Sequence, residues 1–239
     1  MTVTRPPAGP TSTRLGALGR WLVPLALAGG WFIAILLALL FIERDALRYV
    51  DWSEAMYQRF WPSRWLLAVH ITGAGIALLT GPTQFSRTLR DRLPRLHRTA
   101  GWVYVVAVLV STPFAVRLAT DSCALCVVPF QVWGSLTILF TMAAVAMAIA
   151  GNYKAHRDFM IRSYILLYAF VFVRLDNNLL GTPLEVPGPL GADRGSLVVW
   201  YAWVVPLLVV EASISWVPTI RRVLKRRSGP RRTPTPVGR

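Results

Sequence analysis

The sequence predicts an all-α, polytopic transmembrane bundle of about six spans with both termini cytoplasmic. Three observations predict it. Apolar residues come in runs of about twenty, the length a helix needs to cross roughly 30 Å of hydrocarbon. Of 239 residues, 54% are hydrophobic and 15% charged, with a mean hydropathy of +0.48; soluble domains carry nearer a quarter charged residues. The 26 Lys and Arg are also placed unevenly: with the N-terminus inside, segments 1–20, 86–99, 151–162 and 221–239 hold 19 of them, and the outer segments 43–64 and 181–196 hold 5. Basic residues mark the cytoplasmic side. The same placement explains the net charge of +15 without nucleic acid, because the charges flank apolar runs and form no single basic face.

Taken in order, residues 1–20 form a basic, Pro- and Thr-rich segment too polar to pack, and are expected to be disordered. The first span, 21–42, is too long for a signal peptide and lacks a small-residue cleavage site after it, so it reads as a retained anchor. Segment 43–64 places Tyr49, Trp52, Tyr57, Phe60 and Trp61 at roughly helical spacing, as in an amphipathic segment on the bilayer surface. The second span, 64–81, puts His70, Gly73, Ala77, Thr80 and Gln84 on one face, which small residues turn inward; Gly81-Pro82 ends or kinks it. Spans three to six are 101–120, bent at Pro113, then 127–150, 160–180 and 197–220. A Gly- and Pro-rich loop separates the last two. The polybasic tail, 221–239, is expected to be disordered. The bundle, 21–220, makes one membrane domain of the cell (inner) membrane.

Charged groups inside a bilayer are costly and need partners or water. Arg117, Arg174 and Glu211 fall within spans. A buried polar path through Gln84, Arg174, Asp176 and Glu211, with His70, would suit a transporter. The plainer account is structural: Arg117 snorkels outward, Arg174 pairs with Asp176 or Asp121, and Glu211 is protonated or bonded to serine. The chain has three histidines. His97 and His156 are each followed by Arg and each lie near the cytoplasmic start of a span, which brings two imidazoles to the same depth. Two such histidines can ligate haem b, with Arg98, Arg157 and Arg162 available for its propionates. Each could equally bond a backbone carbonyl or a lipid headgroup. His70 is deeper, nearly a membrane away from His97, and is a ligand, a relay or a packing residue. Cys123 and Cys126 form a CxxC on the outer side, a candidate disulfide or simply two small apolar residues at a helix start. No group of cysteines sufficient for a structural metal is present.

The residues assembled here resemble a known pattern. His70-x-x-x-Gly, Gly81-Pro82-x-Gln84-Phe85, Leu89-Arg90, Leu96-His97-Arg98-x-x-Gly101-x-x-Tyr104, His156-Arg157-x-x-Met160-x-Arg162-Ser163-Tyr164 and Arg174-Leu175 resemble the bacterial membrane-protein family catalogued as domain of unknown function 2306. The resemblance covers spans two to five. Phe159 departs from it, since the pattern favours Trp there. It implies a helical bundle and singles out the histidines and the arginines that follow them; it implies no activity. A weaker, architectural likeness is to transmembrane b-type cytochromes, where histidines stand near helix ends. Three histidines allow at most one bis-histidine haem.

Three functions follow from these residues. The first is a membrane redox protein holding haem b between His97 and His156. The second is a small transporter built on His70, Arg174 and Glu211. The third is a non-catalytic sensor or assembly subunit. In each, the lipid bilayer is a partner, and anionic headgroups face the basic inner segments. No nucleophile–base pair or phosphate-binding loop points to an enzyme, and oligomeric state cannot be read from the sequence.

Overall fold

The computed structural model describes residues 32–121, 124–180 and 189–227. Segment 1–20, the first half of the first span, Cys123 and the tail beyond 227 lie outside the described residues, as do the side chains of 176–180. Every described element is a helix or a turn between helices. Residues 32–41 form α1. It runs into a π-helical turn, Ile42–Ala46, and a 3-10 turn, Leu47–Val50, then a short α2, Glu54–Tyr57. The longer helices are α3 (Arg64–Gln84), α5 (Pro94–Ala119), α6 (Val127–Ile149), α7 (Tyr153–Leu167), α8 (Ala169–Leu180) and α9 (Pro189–Glu211). The six-residue α4 (Arg87–Arg92) links α3 to α5, and α10 (Val217–Arg227) ends the described chain.

Four stretches among the described residues are long and apolar enough to cross a membrane: Glu54–Gln84, Pro94–Ala119, Val127–Ile149 and Ser196–Lys225. The expected fifth span is present as helix but is divided at Tyr168 into α7 and α8. Many large apolar side chains point outward, among them Trp65, Val106, Leu139 and Val209. That is the arrangement a bilayer requires, because the solvent there is itself apolar.

Several boundaries differ from the sequence reading, each for a local reason. α3 does not stop at Gly81; it continues through Pro82 to Gln84 and ends where the Phe85 and Ser86 N–H groups turn back to the Pro82 and Thr83 carbonyls. α5 starts at Pro94, in the first helical position where a missing N–H costs nothing. α7 starts at Tyr153 because the Asn152 side chain accepts the Ala155 N–H at 3.1 Å. His97 and His156 therefore stand inside the first turns of helices. The last long helix, α9, begins at Pro189, but its membrane-crossing stretch begins at Ser196, next to the expected 197, and runs on through a π-helical turn, Ala212–Trp216, into α10. Pro218 accounts for that turn. It supplies no N–H and its ring crowds the Ile214 carbonyl; the chain widens by one residue just before it, and the Val217 N–H bonds Ala212 O.

α3 packs most extensively against α5, and α6 against α7. The central cluster joins Ala38 of α1, Ala77 and Leu78 of α3, Tyr104 and Val108 of α5, Ala144 of α6, and Met160 and Tyr164 of α7. A second cluster packs Trp133, Leu166 and Ala169 against Val199 and Trp203 of α9. The segment before α3 folds under the helix ends: Tyr57 is buried against Leu67 and Leu118, and its hydroxyl donates to Tyr49 O at 3.0 Å.

Candidate functional site

The motif residues converge on α7. Pro82 cannot donate to the carbonyl of Leu78, four residues earlier, so helix continuity leaves that carbonyl without its usual partner. The Tyr164 hydroxyl donates to it at 2.9 Å. The ring reaches this position across Gly81, where a Cβ would stand 2.1 Å from a Tyr164 ring carbon. Gly81, Pro82 and Tyr164 are thus one device: the glycine makes room for the ring whose hydroxyl replaces the donor that the proline lacks. Gln84 lies against Gly101, where a Cβ would be 3.0 Å from its Oε1; its amide donates to the His97 carbonyl at 3.4 Å. The end of α3 is held to the start of α5 in this way.

A second set of hydroxyls joins α5, α6 and α7. Tyr104 and Ser163 lie 2.7 Å apart, as do Ser163 and Thr141. Thr141 is also 2.7 Å from Thr137 O, and a carbonyl can only accept. Thr141 spends its single proton there, so Ser163 donates to Thr141 and Tyr104 donates to Ser163. The direction of the whole buried chain is fixed. Thr137 donates in turn to Trp133 O at 2.8 Å. Tyr168, at the break between α7 and α8, donates to Ala34 O at 2.8 Å, and the Trp133 indole donates to Leu166 O at 2.9 Å. The Leu166 carbonyl also accepts a backbone N–H at the end of α7, so the indole is a second donor to it.

The charged residues pair separately. Arg162 forms a bidentate pair with Glu211, one arm at 3.0 Å, and also donates to Ser215 at 3.0 Å. Ser215 donates to the same carboxylate at 2.9 Å. Arg174 faces Asp45 of the first π-helical turn at 3.5 Å; Asp121, one of its expected partners, is instead bonded by Ser63 at 2.8 Å and paired with Arg117 at 3.1 Å. The Ser63 hydroxyl, and then Arg117, hold the Asp121 carboxyl below the usual carboxylate range. Arg117, in the last turn of α5, is exposed. Asp176 belongs to the side chains outside the described residues. His70 donates from Nδ1 to Ser111 O at 3.1 Å. His70, Gln84, Arg174 and Glu211 therefore each have a different partner, and the contacts described do not link them to one another.

His97 and His156 differ from these. His156 lies 2.8 Å from Ala144 O through Nδ1. The carbonyl can only accept, so Nδ1 carries the proton and a neutral ring keeps its Nε2 lone pair. His97 stands at the matching position in the first turn of α5. Its Nδ1 is buried and has no hydrogen-bond partner, a condition met by few buried polar atoms. Arg98 and Arg157 are exposed next to these histidines in sequence, whereas Arg162 is committed to Glu211. Among the described residues no three His, Cys, Asp or Glu side chains gather as a metal site would need. Cys126 is disulfide-bonded.

Sequence reasoning did not assign roles to Thr137, Thr141, Ser111, Ser63 or Asp45. The first two carried a signal: threonines four apart in an otherwise apolar helix share one face. The others act through contacts between distant segments, which no spacing reveals. No curated protein and no solved structure matches this chain. Residues 67–214, well over half of it, match the family described as a predicted membrane protein (DUF2306). The match spans the Gly81-Pro82 device, the hydroxyl chain, both inner histidines and the Arg162–Glu211 pair, and the chain belongs to that family.

Proposed function

We propose that this is a six-span protein of the cell inner membrane with both termini cytoplasmic, and that His97 and His156 ligate a single haem b used in electron transfer. The observation that carries the reading is the buried, unpartnered Nδ1 of His97 beside a histidine whose ring is held by a backbone carbonyl. Metal-ligating histidines characteristically anchor one ring nitrogen this way and present the other. A haem would supply one-electron chemistry. The chain's own part is to hold two neutral imidazoles at the inner end of the bundle and to offer Arg98 and Arg157 to carboxylates. The Lys and Arg asymmetry supports the orientation, with 19 inside and 5 outside.

The test is an absorption spectrum of detergent-purified protein, oxidised and then dithionite-reduced, with metal analysis of the same sample. The expected outcome is a Soret band and a sharp reduced α-band, both lost in His97→Ala and in His156→Ala but retained in His70→Ala. A colourless, iron-free protein that is folded, as judged by its melting transition, would discard the reading.

A further inference from the structure

A groove of 680 Å³ runs along the outer surface between α3 and α5, lined by Ala68, Thr72 and Gly73 on one side and by Thr99, Val103 and Val106 on the other. Its walls are almost wholly apolar, and it opens to the surroundings of the bundle, not to its core. Gly73 forms part of its floor because α3 and α5 approach so closely there that a Cβ would sit 2.8 Å from Ser111 Cβ. The lining of α5 extends from Thr99 to Val110, roughly 16 Å at 1.5 Å per residue. Trp65 and Trp102, both largely exposed, border it on the two helices. In hydrocarbon an unfilled groove loses dispersion contacts along its whole wall.

What distinguishes this groove from an ordinary lipid-facing surface is the charge at one end. Along α5 the wall residues Val110, Val106, Val103 and Thr99 step back by three and four positions, and the next step of four is Arg95. From Trp102 the same step is Arg98. Both arginines are therefore on the groove's own stripe, Arg98 beside its end at Thr99 and Arg95 one turn beyond it. Arg95 and Arg98 are exposed, and neither has an ion-pair partner among the described residues. The only bond of the Arg98 guanidinium is a long one, 3.4 Å, to Pro94 O. Arg90, by contrast, is paired with Asp91. An apolar channel ending in two unpaired guanidinium groups matches a molecule with an apolar chain and an anionic head.

We propose that the α3–α5 groove is a binding site for one anionic phospholipid, its acyl chain along Ala68, Thr72 and Val106 and its phosphate between Arg95 and Arg98. This does not rest on the histidine reading, since neither His97 nor His156 lines the groove; it assigns Arg98 to the lipid phosphate and leaves Arg157 to the haem carboxylates. The site holds a particular lipid at a particular helix pair, unlike a general attraction of basic segments to the inner leaflet.

The test is native mass spectrometry of the delipidated full chain in detergent, supplied with equal amounts of dioleoylphosphatidylglycerol and dioleoylphosphatidylcholine. One phosphatidylglycerol should be retained per chain in preference to phosphatidylcholine. Arg95→Gln with Arg98→Gln should weaken that retention roughly 30-fold, from two lost charge contacts. Val106→Trp, a change at an exposed position that fills the groove, should remove the bound lipid of either kind. Arg221→Gln with Arg222→Gln, which leaves the groove intact, should retain it. Equal retention of the two lipids by the native chain would overturn the site. So would undiminished phosphatidylglycerol binding in either the arginine or the tryptophan variant, and so would a dimer of this chain that excludes lipid and is disrupted by Val106→Trp.

Discussion

Tyr164 shows how one side chain can be required by another's defect. Its hydroxyl donates to the Leu78 carbonyl only because Pro82 does not. Tyr164→Phe leaves that buried carbonyl unpaired and should lower stability by about 1–3 kcal/mol. In a Pro82→Ala background the helix supplies its own N–H, so the same change should cost roughly 1 kcal/mol or less. Thermal unfolding of the four proteins in one detergent reads the difference; equal costs in both backgrounds would show that the hydroxyl has some other role. Asp121 gives a pH-dependent case. Its carboxyl is held below the usual range by Ser63 and Arg117, so it favours the folded state when ionised. That contribution is complete above the unfolded carboxylate pKa, about 3.9, and is lost as pH falls through the lower folded value. The stability gap between the native chain and Asp121→Asn should accordingly be constant above about pH 5 and close under more acid conditions. A gap that widens with acid would contradict it.

At the scale of elements, one ion pair adds to the apolar contact between α7 and α9. Arg162 and Glu211 are mostly shielded from solvent, at 13% and 24% side-chain exposure, and Ser215 completes the set. Removing one partner strands a charge; removing both does not. Glu211→Gln should destabilise by roughly 3 kcal/mol, and Arg162→Met with Glu211→Met by clearly less. The midpoint of unfolding for single and double variants decides this, and additive losses would mean the two groups do not act on each other. The π-helical turn after Glu211 belongs to the same junction. It is forced by Pro218, and it sets where Ser215 stands relative to the carboxylate. A segment cut by Tyr168 and another widened by Pro218 face each other here. Irregular backbone is tolerated in a membrane protein only where other groups satisfy it, and the Trp133 indole bonds the Leu166 carbonyl at the end of α7.

For the whole molecule, the proposed orientation rests on the charge asymmetry, 19 Lys and Arg against 5. In a variant freed of its own cysteines, a cysteine placed at Leu184 should react with a membrane-impermeant thiol reagent applied to intact cells. One placed at Thr233 should react only after lysis. Labelling at 233 in intact cells would reverse the orientation or change the number of spans.

The helical class, the membrane setting and the family pattern were legible in sequence, because each depends on local properties: the length of an apolar run, the sign of flanking charge, the spacing of motif residues along one chain. His97, Gly101, Tyr104, Ser163 and Tyr164 could be named in that way, though not what each touches. The partners were decided by the tertiary structure. Asp45, not Asp121, faces Arg174; Arg162 joins Ser215 on Glu211; a tyrosine from α7 completes α3 past its proline. Such choices depend on which helix faces abut and at what depth. In an apolar solvent, helix faces are selected by close packing and by the need to satisfy each buried polar group, and both are properties of the assembled bundle and of no single segment.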